Sequence, residues 1–176
     1  MTRDSAAAKS FFLVGFMGVG KSTVGRHLAS ELGMPFYDMD EEIERTTGKM
    51  INEIFETDGE DFFRALETEL LRSIVKRKPG VVATGGGTFC RPENRALMRS
   101  GGVSVWLDAP DDTILERGSR QQHRPLWTNA KDMQALLQER LPVYRQADVH
   151  FRLESSTAED AGSRLAILLK AYSEDS

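Results

Sequence analysis

The nonapeptide Gly15-Phe16-Met17-Gly18-Val19-Gly20-Lys21-Ser22-Thr23 constrains this chain more than any other stretch. It fits G-x-x-x-x-G-K-[ST], the spelling of a phosphate-cradling P-loop. A triphosphate asks for many donors at short range, where bulky side chains would crowd it. Glycines at 15, 18 and 20 allow tight turns with positive φ, so successive N–H groups converge into an anion nest. Lys21 adds a mobile charge for the β- and γ-phosphates, and the Ser22 hydroxyl can ligate Mg²⁺. The flanks fit as well. Ser10 to Val14 is an apolar run short enough for a buried strand, and Val24, His27, Leu28 and Leu32 recur at helical spacing. The phosphates are therefore expected on a helix N-terminus.

Beyond the loop, the chain alternates short apolar runs with helical patterns. Pro35 to Asp38 reads as a second strand, and Asp40-Glu41-Glu42 opens a helix, where carboxylates suit the positive end of its dipole. In open α/β sheets ligands bind beyond the C-terminal ends of strands, which would bring Asp38 and Asp40 to face the loop. One could order water on Mg²⁺, and the other could accept a proton from a substrate hydroxyl. Thr46 to Gly59 reads as a short helical region able to cap an acceptor. From about Glu60 to Lys76 a longer helix is expected, with Phe62, Leu66, Leu70 and Ile74 as its core stripe. Arg64 and Glu67 fall off that stripe at i, i+3, which on residue pattern alone describes an exposed ion pair.

Val81-Val82-Ala83 is a third, buried strand, ending in Gly85-Gly86-Gly87 on the ligand side of the sheet. The triplet would let backbone approach a substrate closely and offer N–H donors. Pro92 to Arg99 is a helix stopped by Gly101-Gly102, Val103 to Leu107 is a fourth strand, and Trp106 belongs to the core. Arg117 to Trp127 is polar, basic and aperiodic, as a lid closing over a triphosphate would be. Lys131 to Gln146 is helical, kinked or restarted at Pro142. Val149 to Leu153 is a fifth strand, and Ala158 to Tyr172 a closing helix. Five strands alternating with helices imply an α/β protein, a parallel sheet covered on both faces in three layers.

At 176 residues the chain is sized for a single domain. Residues 1–9 read as a tail outside the fold, and Lys21 interrupts the apolar run that would otherwise pass for a secretory signal. A net charge of −4 gives no basic field for nucleic acid or an anionic membrane. The one cysteine, Cys90, leaves no internal disulfide, which fits a reducing cytoplasm. No Cys/His cluster has zinc spacing.

Taken in order, several segments resemble the shikimate kinases, small P-loop kinases related in architecture to nucleoside monophosphate kinases. They are Gly15 to Thr23, the Asp-x-Asp of Asp38 and Asp40, the Phe-Arg-x-x-Glu of Phe63, Arg64 and Glu67, the glycine triplet, Arg124-Pro125-Leu126, and Tyr144-Arg145. The resemblance implies the sheet order 2-3-1-4-5, a substrate-binding insertion over 34–62 and a lid over about 117–130. It implies ATP phosphates on Gly18, Val19, Gly20, Lys21, Ser22 and Thr23, with Ser22 on Mg²⁺ and Asp38 reaching the metal through water. Asp40 would hold the shikimate hydroxyls and orient or deprotonate the attacking one. Arg64 and Arg145 would grip the carboxylate, helped by backbone at Gly86 and Gly87, and Phe55 and Phe63 would wall the pocket. Arg124 would contact the transferred phosphate, and Arg117 would lie against adenine.

The implied activity is transfer of the γ-phosphoryl group of MgATP to the 3-hydroxyl of shikimate, by a monomeric enzyme of aromatic amino-acid biosynthesis. Two arginines suit a planar carboxylate through forked charge-assisted bonds. Phosphoryl transfer needs positioning and charge neutralisation, so no nucleophilic triad is expected. The nearest alternative is a kinase of similar architecture acting on gluconate or a nucleoside monophosphate. A monophosphate acceptor would favour several arginines facing a phosphate. A P-loop protein that binds without catalysis is a further alternative, against which the full phosphoryl-transfer set stands.

Overall fold

The computed structural model describes residues 9–119, 129–154 and 157–174. Five parallel strands make one sheet: β1 (Ser10–Val14), β2 (Phe36–Asp38), β3 (Val81–Ala83), β4 (Gly102–Asp108) and β5 (Val149–Arg152), in the order β2-β3-β1-β4-β5. Leu13 lies in register with Ala83 on one side and Val105 on the other. β1 is central and buried along its whole length, which is why it reads as an unbroken apolar run. The outer strand β5 instead alternates, with Val149 and Phe151 inside and His150 and Arg152 outside. The chain crosses from β1 to neighbours on both sides, so a crevice opens at the C-terminal end of β1, where the P-loop begins.

The helices are α1 (Lys21–Leu32), α2 (Met39–Thr47), α3 (Ile51–Thr57), α4 (Glu60–Ile74), α5 (Pro92–Gly101), α6 (Asp111–Ser119), α7 (Ala130–Tyr144) and α8 (Ala158–Glu174). Among the described residues no helix is long and apolar enough to cross a membrane. Most of the core is one cluster around β1, β3 and β4. A second, smaller cluster of Ile43, Ile54 and Phe63 joins α2, α3 and α4. The helix expected to open at Asp40 is α2, closed by Gly48 in the left-handed conformation, and the short helical region expected over 46–59 is α3.

One helical expectation is corrected and another narrowed. Phe62, assigned to the core stripe of α4, is 47% exposed, and the fully buried face is Phe63, Glu67, Thr68, Leu71 and Ile74. Leu66 and Leu70 are half-buried beside it. Polar Glu67 and Thr68 belong to the buried face because they have partners there, so a stripe drawn from hydrophobicity alone falls one residue short. In α7 the helix passes through Pro142 and ends at Tyr144 without restarting. Pro142 has no N–H, which removes one intrahelical bond.

Candidate functional site

The P-loop follows β1 directly, and its glycines adopt the predicted conformations: φ is +139° at Gly15, +75° at Gly18 and +111° at Gly20. Gly15 is excluded from larger residues on a second count. A Cβ there would sit 2.6 Å from the carbonyl oxygen of Leu107 on β4. Lys21 is buried, and its ammonium donates to the carbonyls of Gly15 at 2.8 Å and Phe16 at 2.9 Å, which holds the charge inside the loop.

The loop contributes to two cavities. One, of about 370 Å³, takes Gly18, Val19, Gly20 and Thr23 together with Arg117, Leu153 and Thr157. Arg117 donates from Nη1 to the Val19 carbonyl at 3.2 Å, which ties α6 to the loop. The other, of about 310 Å³, takes Met17 and Ser22 and runs along α2, α3 and α4 to the glycine triplet. Consecutive residues Ser22 and Thr23 thus serve opposite sides, as a loop held between a nucleotide and an acceptor would require.

Asp38 and Asp40 both line the second cavity. Asp38 is also the N-cap of α2: its Oδ1 accepts from the N–H groups of Asp40 at 3.1 Å and Glu41 at 3.2 Å. The cap fixes the entry angle of α2 and so sets where Asp40 stands. Ser22 and Asp38 offer hard oxygen donors to the same space, a chemistry suited to Mg²⁺ bound mainly by phosphates and water. Among the described residues no cluster of three or more His, Cys, Asp or Glu side chains could hold a metal alone.

The far end of the cavity is built on α4 and the triplet. Arg64, read from sequence as half of an exposed pair, is instead an interior group. It donates from Nη1 to Glu67 at 2.7 Å, and from Nε and Nη2 to Glu60 at 3.2 and 3.0 Å. Glu67 has no exposed surface and accepts a second bond from the Thr88 hydroxyl. Burial pushes its carboxyl above the ordinary value, a shift that the Arg64 charge and the Thr88 and Arg64 hydrogen bonds oppose. The glycines here are chosen for space. A Cβ on Gly85 would lie 2.3 Å from Glu67 Oε1, and one on Gly87 would lie 2.6 Å from both Arg64 Nη atoms. Phe55 and Phe63 wall the cavity with ring centroids 4.8 Å apart.

The second arginine is not the one expected. Arg145 caps the C-terminus of α7 with its backbone N–H, is exposed, and is absent from the cavity wall. Arg140 takes the place. It is 8% exposed, lines the cavity, and its buried Nη1 has no hydrogen-bond partner among the described residues. Tyr144, one turn on, is fully buried and donates to the Gly86 carbonyl at 2.6 Å, locking α7 to the triplet. Burial drives its phenol pKa well above the ordinary value, so it stays a donor. Spacing could have found Arg140. Met133, Leu137, Arg140 and Tyr144 fall at i, i+4, i+7 and i+11 on one helical face, and Arg145 lies off it.

Other lining residues went unread in the sequence: Glu41, Glu44, Met50 and Asn52 on α2, α3 and the turn between them. Arg124 lies outside the described residues, as do His123 and most of the segment expected to form the lid.

The family model described as shikimate kinase matches residues 17–169. A curated shikimate kinase from Rhizobium leguminosarum bv. trifolii is 46% identical over 150 residues, covering 84% of this chain and 76% of that protein. One from Brucella canis is 40% identical over 175 residues, covering 98% and 88%. Among solved structures, the shikimate kinase from Acinetobacter baumannii in complex with shikimate aligns with a TM-score of 0.89 at 39% identity, covering 94% of each chain.

Proposed function

Because the chain belongs to the shikimate kinase family, we propose that it transfers the γ-phosphoryl group of MgATP to the 3-hydroxyl of shikimate at the cavity between the P-loop and Arg140. The observation that carries the reading is the pairing of Arg64 and Arg140 on one cavity wall that continues to Ser22 of the phosphate loop. A buried guanidinium nitrogen without a partner costs free energy, and a planar carboxylate is the group that satisfies it best.

The roles follow from position. The acceptor carboxylate would lie across Arg64 and Arg140, with backbone at Gly86 and Gly87 beside it and Phe55 and Phe63 flanking the ring. That leaves the hydroxyl-bearing edge toward Asp40. Asp40 would hold the attacking hydroxyl and take its proton as the bond to phosphorus forms. Residues Gly18 to Thr23 would hold the phosphates, with Lys21 offsetting charge as it builds on the transferred group. Ser22 and Asp38 would hold Mg²⁺, directly and through water, and the ion supplies further charge neutralisation at the phosphates. Arg117 would lie against adenine in the cavity beyond the loop, and Arg124 would reach the transferred phosphate. A cytoplasmic monomer binding neither nucleic acid nor membrane is the setting we propose, supported by the single cysteine and the net charge of −4.

An ADP-release assay over shikimate, gluconate and several nucleoside monophosphates tests the reading. Shikimate should be the preferred acceptor by a wide margin in kcat/KM; preferred turnover of gluconate or a monophosphate would overturn it.

A further inference from the structure

The α2 wall of the acceptor cavity is built from carboxylates: Asp38, Asp40, Glu41 and Glu44. An ionised carboxylate only accepts hydrogen bonds. Three of these groups already have partners: Asp38 caps α2, Glu41 pairs with Arg26 on α1, and Glu44 Oε1 accepts from the Ile51 N–H at 3.0 Å. A polyhydroxylated ring makes a different demand. Each hydroxyl has one proton to give and lone pairs that need donors. On the reading above, the cationic donors Arg64 and Arg140 serve the acid end of the ring and Ser22 serves the metal. The flank of the ring facing α2 and α3 is thereby short of a donor.

Asn52, in the first turn of α3, lines that flank half-buried. Among the described residues its side chain has no hydrogen-bond partner, although the neighbouring polar groups of this wall do. It is uncharged, and its amide can donate and accept at once, the complement of a hydroxyl. A half-buried amide held against a cavity without a protein partner is poorly explained as packing.

We propose that Asn52 is a specificity residue of the acceptor site, its amide hydrogen-bonded to a ring hydroxyl other than the one phosphorylated. The inference rests on shikimate being the acceptor. Asn52 supplies the donor that the carboxylate wall lacks. It selects against rings without a hydroxyl at that position, because the amide would then lose its partner.

The test is a substrate-deletion cycle on the full chain, with wild type and Asn52→Ala each assayed on shikimate, 4-deoxyshikimate and 5-deoxyshikimate. Asn52→Ala should raise the shikimate KM by about 3- to 10-fold, the usual worth of a neutral hydrogen bond, leaving kcat and the ATP KM within about twofold. On one deoxy analogue, wild type and variant should share the same KM. Asn52→Ser, able to donate and accept, should recover part of the loss and serves if the alanine variant folds poorly. An unchanged shikimate KM, or an equal penalty on all three acceptors, would overturn the proposal. Wild type that turns over shikimate while ignoring the substitution sinks this inference alone, whereas wild type inactive on shikimate sinks the kinase reading beneath it.

Discussion

Arg64 and Glu67 form a single buried unit: the guanidinium meets a carboxylate that has no exposed surface and that is further held by the Thr88 hydroxyl. Burial raises the Glu67 pKa above its ordinary value. A carboxyl raised in the folded state adds stability below its unfolded pKa, near 4.5, and that contribution is lost as pH climbs through the folded value. Wherever Glu67 is ionised against Arg64, the fold gives up part of that stability. Activity has the opposite sign. When Glu67 takes a proton, Arg64 loses its charged anchor, so the acceptor KM should rise as pH falls into a window above 4.5. The inflection should vanish in Glu67→Gln, which cannot titrate; its amide oxygen still accepts from Arg64, and its NH₂ can donate to the rotated Thr88 hydroxyl. KM profiles of wild type and variant that overlay across that window would refute the role of Glu67.

Gly87 tests the same unit from the other side. Its φ of −97° and ψ of −7° are open to alanine, so a substitution there carries little backbone strain. The added Cβ would nevertheless fall 2.6 Å from two Arg64 nitrogens, and the guanidinium must move. Gly87→Ala should raise the acceptor KM by about tenfold or more, in keeping with 1.5–3 kcal/mol for a charged hydrogen bond, while the ATP KM holds and the melting temperature falls as Glu67 loses its buried partner. A wild-type acceptor KM in this variant would show that Arg64 is not needed where it stands.

How much of this could be read beforehand depends on whether pattern or partnership decides. The P-loop, the five strands and the C-terminal edge as ligand side are matters of local spelling and periodicity, and each is legible. The sheet order came from the resemblance, because parallel strands joined by helices leave no local trace of their neighbours. Phe62 and Glu67 show why the site was harder. Hydrophobic spacing assigns Phe62 to the core and Glu67 to the surface, yet Thr88, distant in sequence, makes Glu67 the better buried residue. Arg145 came with Tyr144 from the resemblance, whereas the arginine sharing Tyr144's buried face is Arg140, four residues earlier.

Lys21 holds its charge inside the loop through two backbone carbonyls. Removing it should cost chemistry far more than fold. Lys21→Ala should lower kcat by at least about 10²-fold, the scale for losing one group that stabilises transition-state charge. The melting temperature should fall by only a few degrees, because the glycine conformations and the β1–β4 contact at Gly15 do not depend on the ammonium. Turnover within tenfold of wild type would remove Lys21 from the transfer step.

The two arginines of α7 separate position from sequence proximity. Arg140 is buried at the cavity with an Nη1 that has no partner among the described residues, and five residues on Arg145 is exposed at the helix C-cap. If the acceptor carboxylate is what Arg140 awaits, Arg140→Ala should weaken acceptor binding by about 1.5–3 kcal/mol, one to two orders of magnitude in KM. It should not destabilise the protein, since it relieves a buried unsatisfied donor. Arg145→Ala should stay within about twofold in KM, as an exposed cation without an assigned partner would. Lys at 140 is the informative third variant. It keeps the charge but offers a point donor in place of a planar fork, so it should recover only part of the affinity. Full recovery by Arg140→Lys would mean the site reads charge and not the carboxylate plane. Equal losses at 140 and 145 would mean that the acceptor lies across the outer end of α7 instead of inside the cavity.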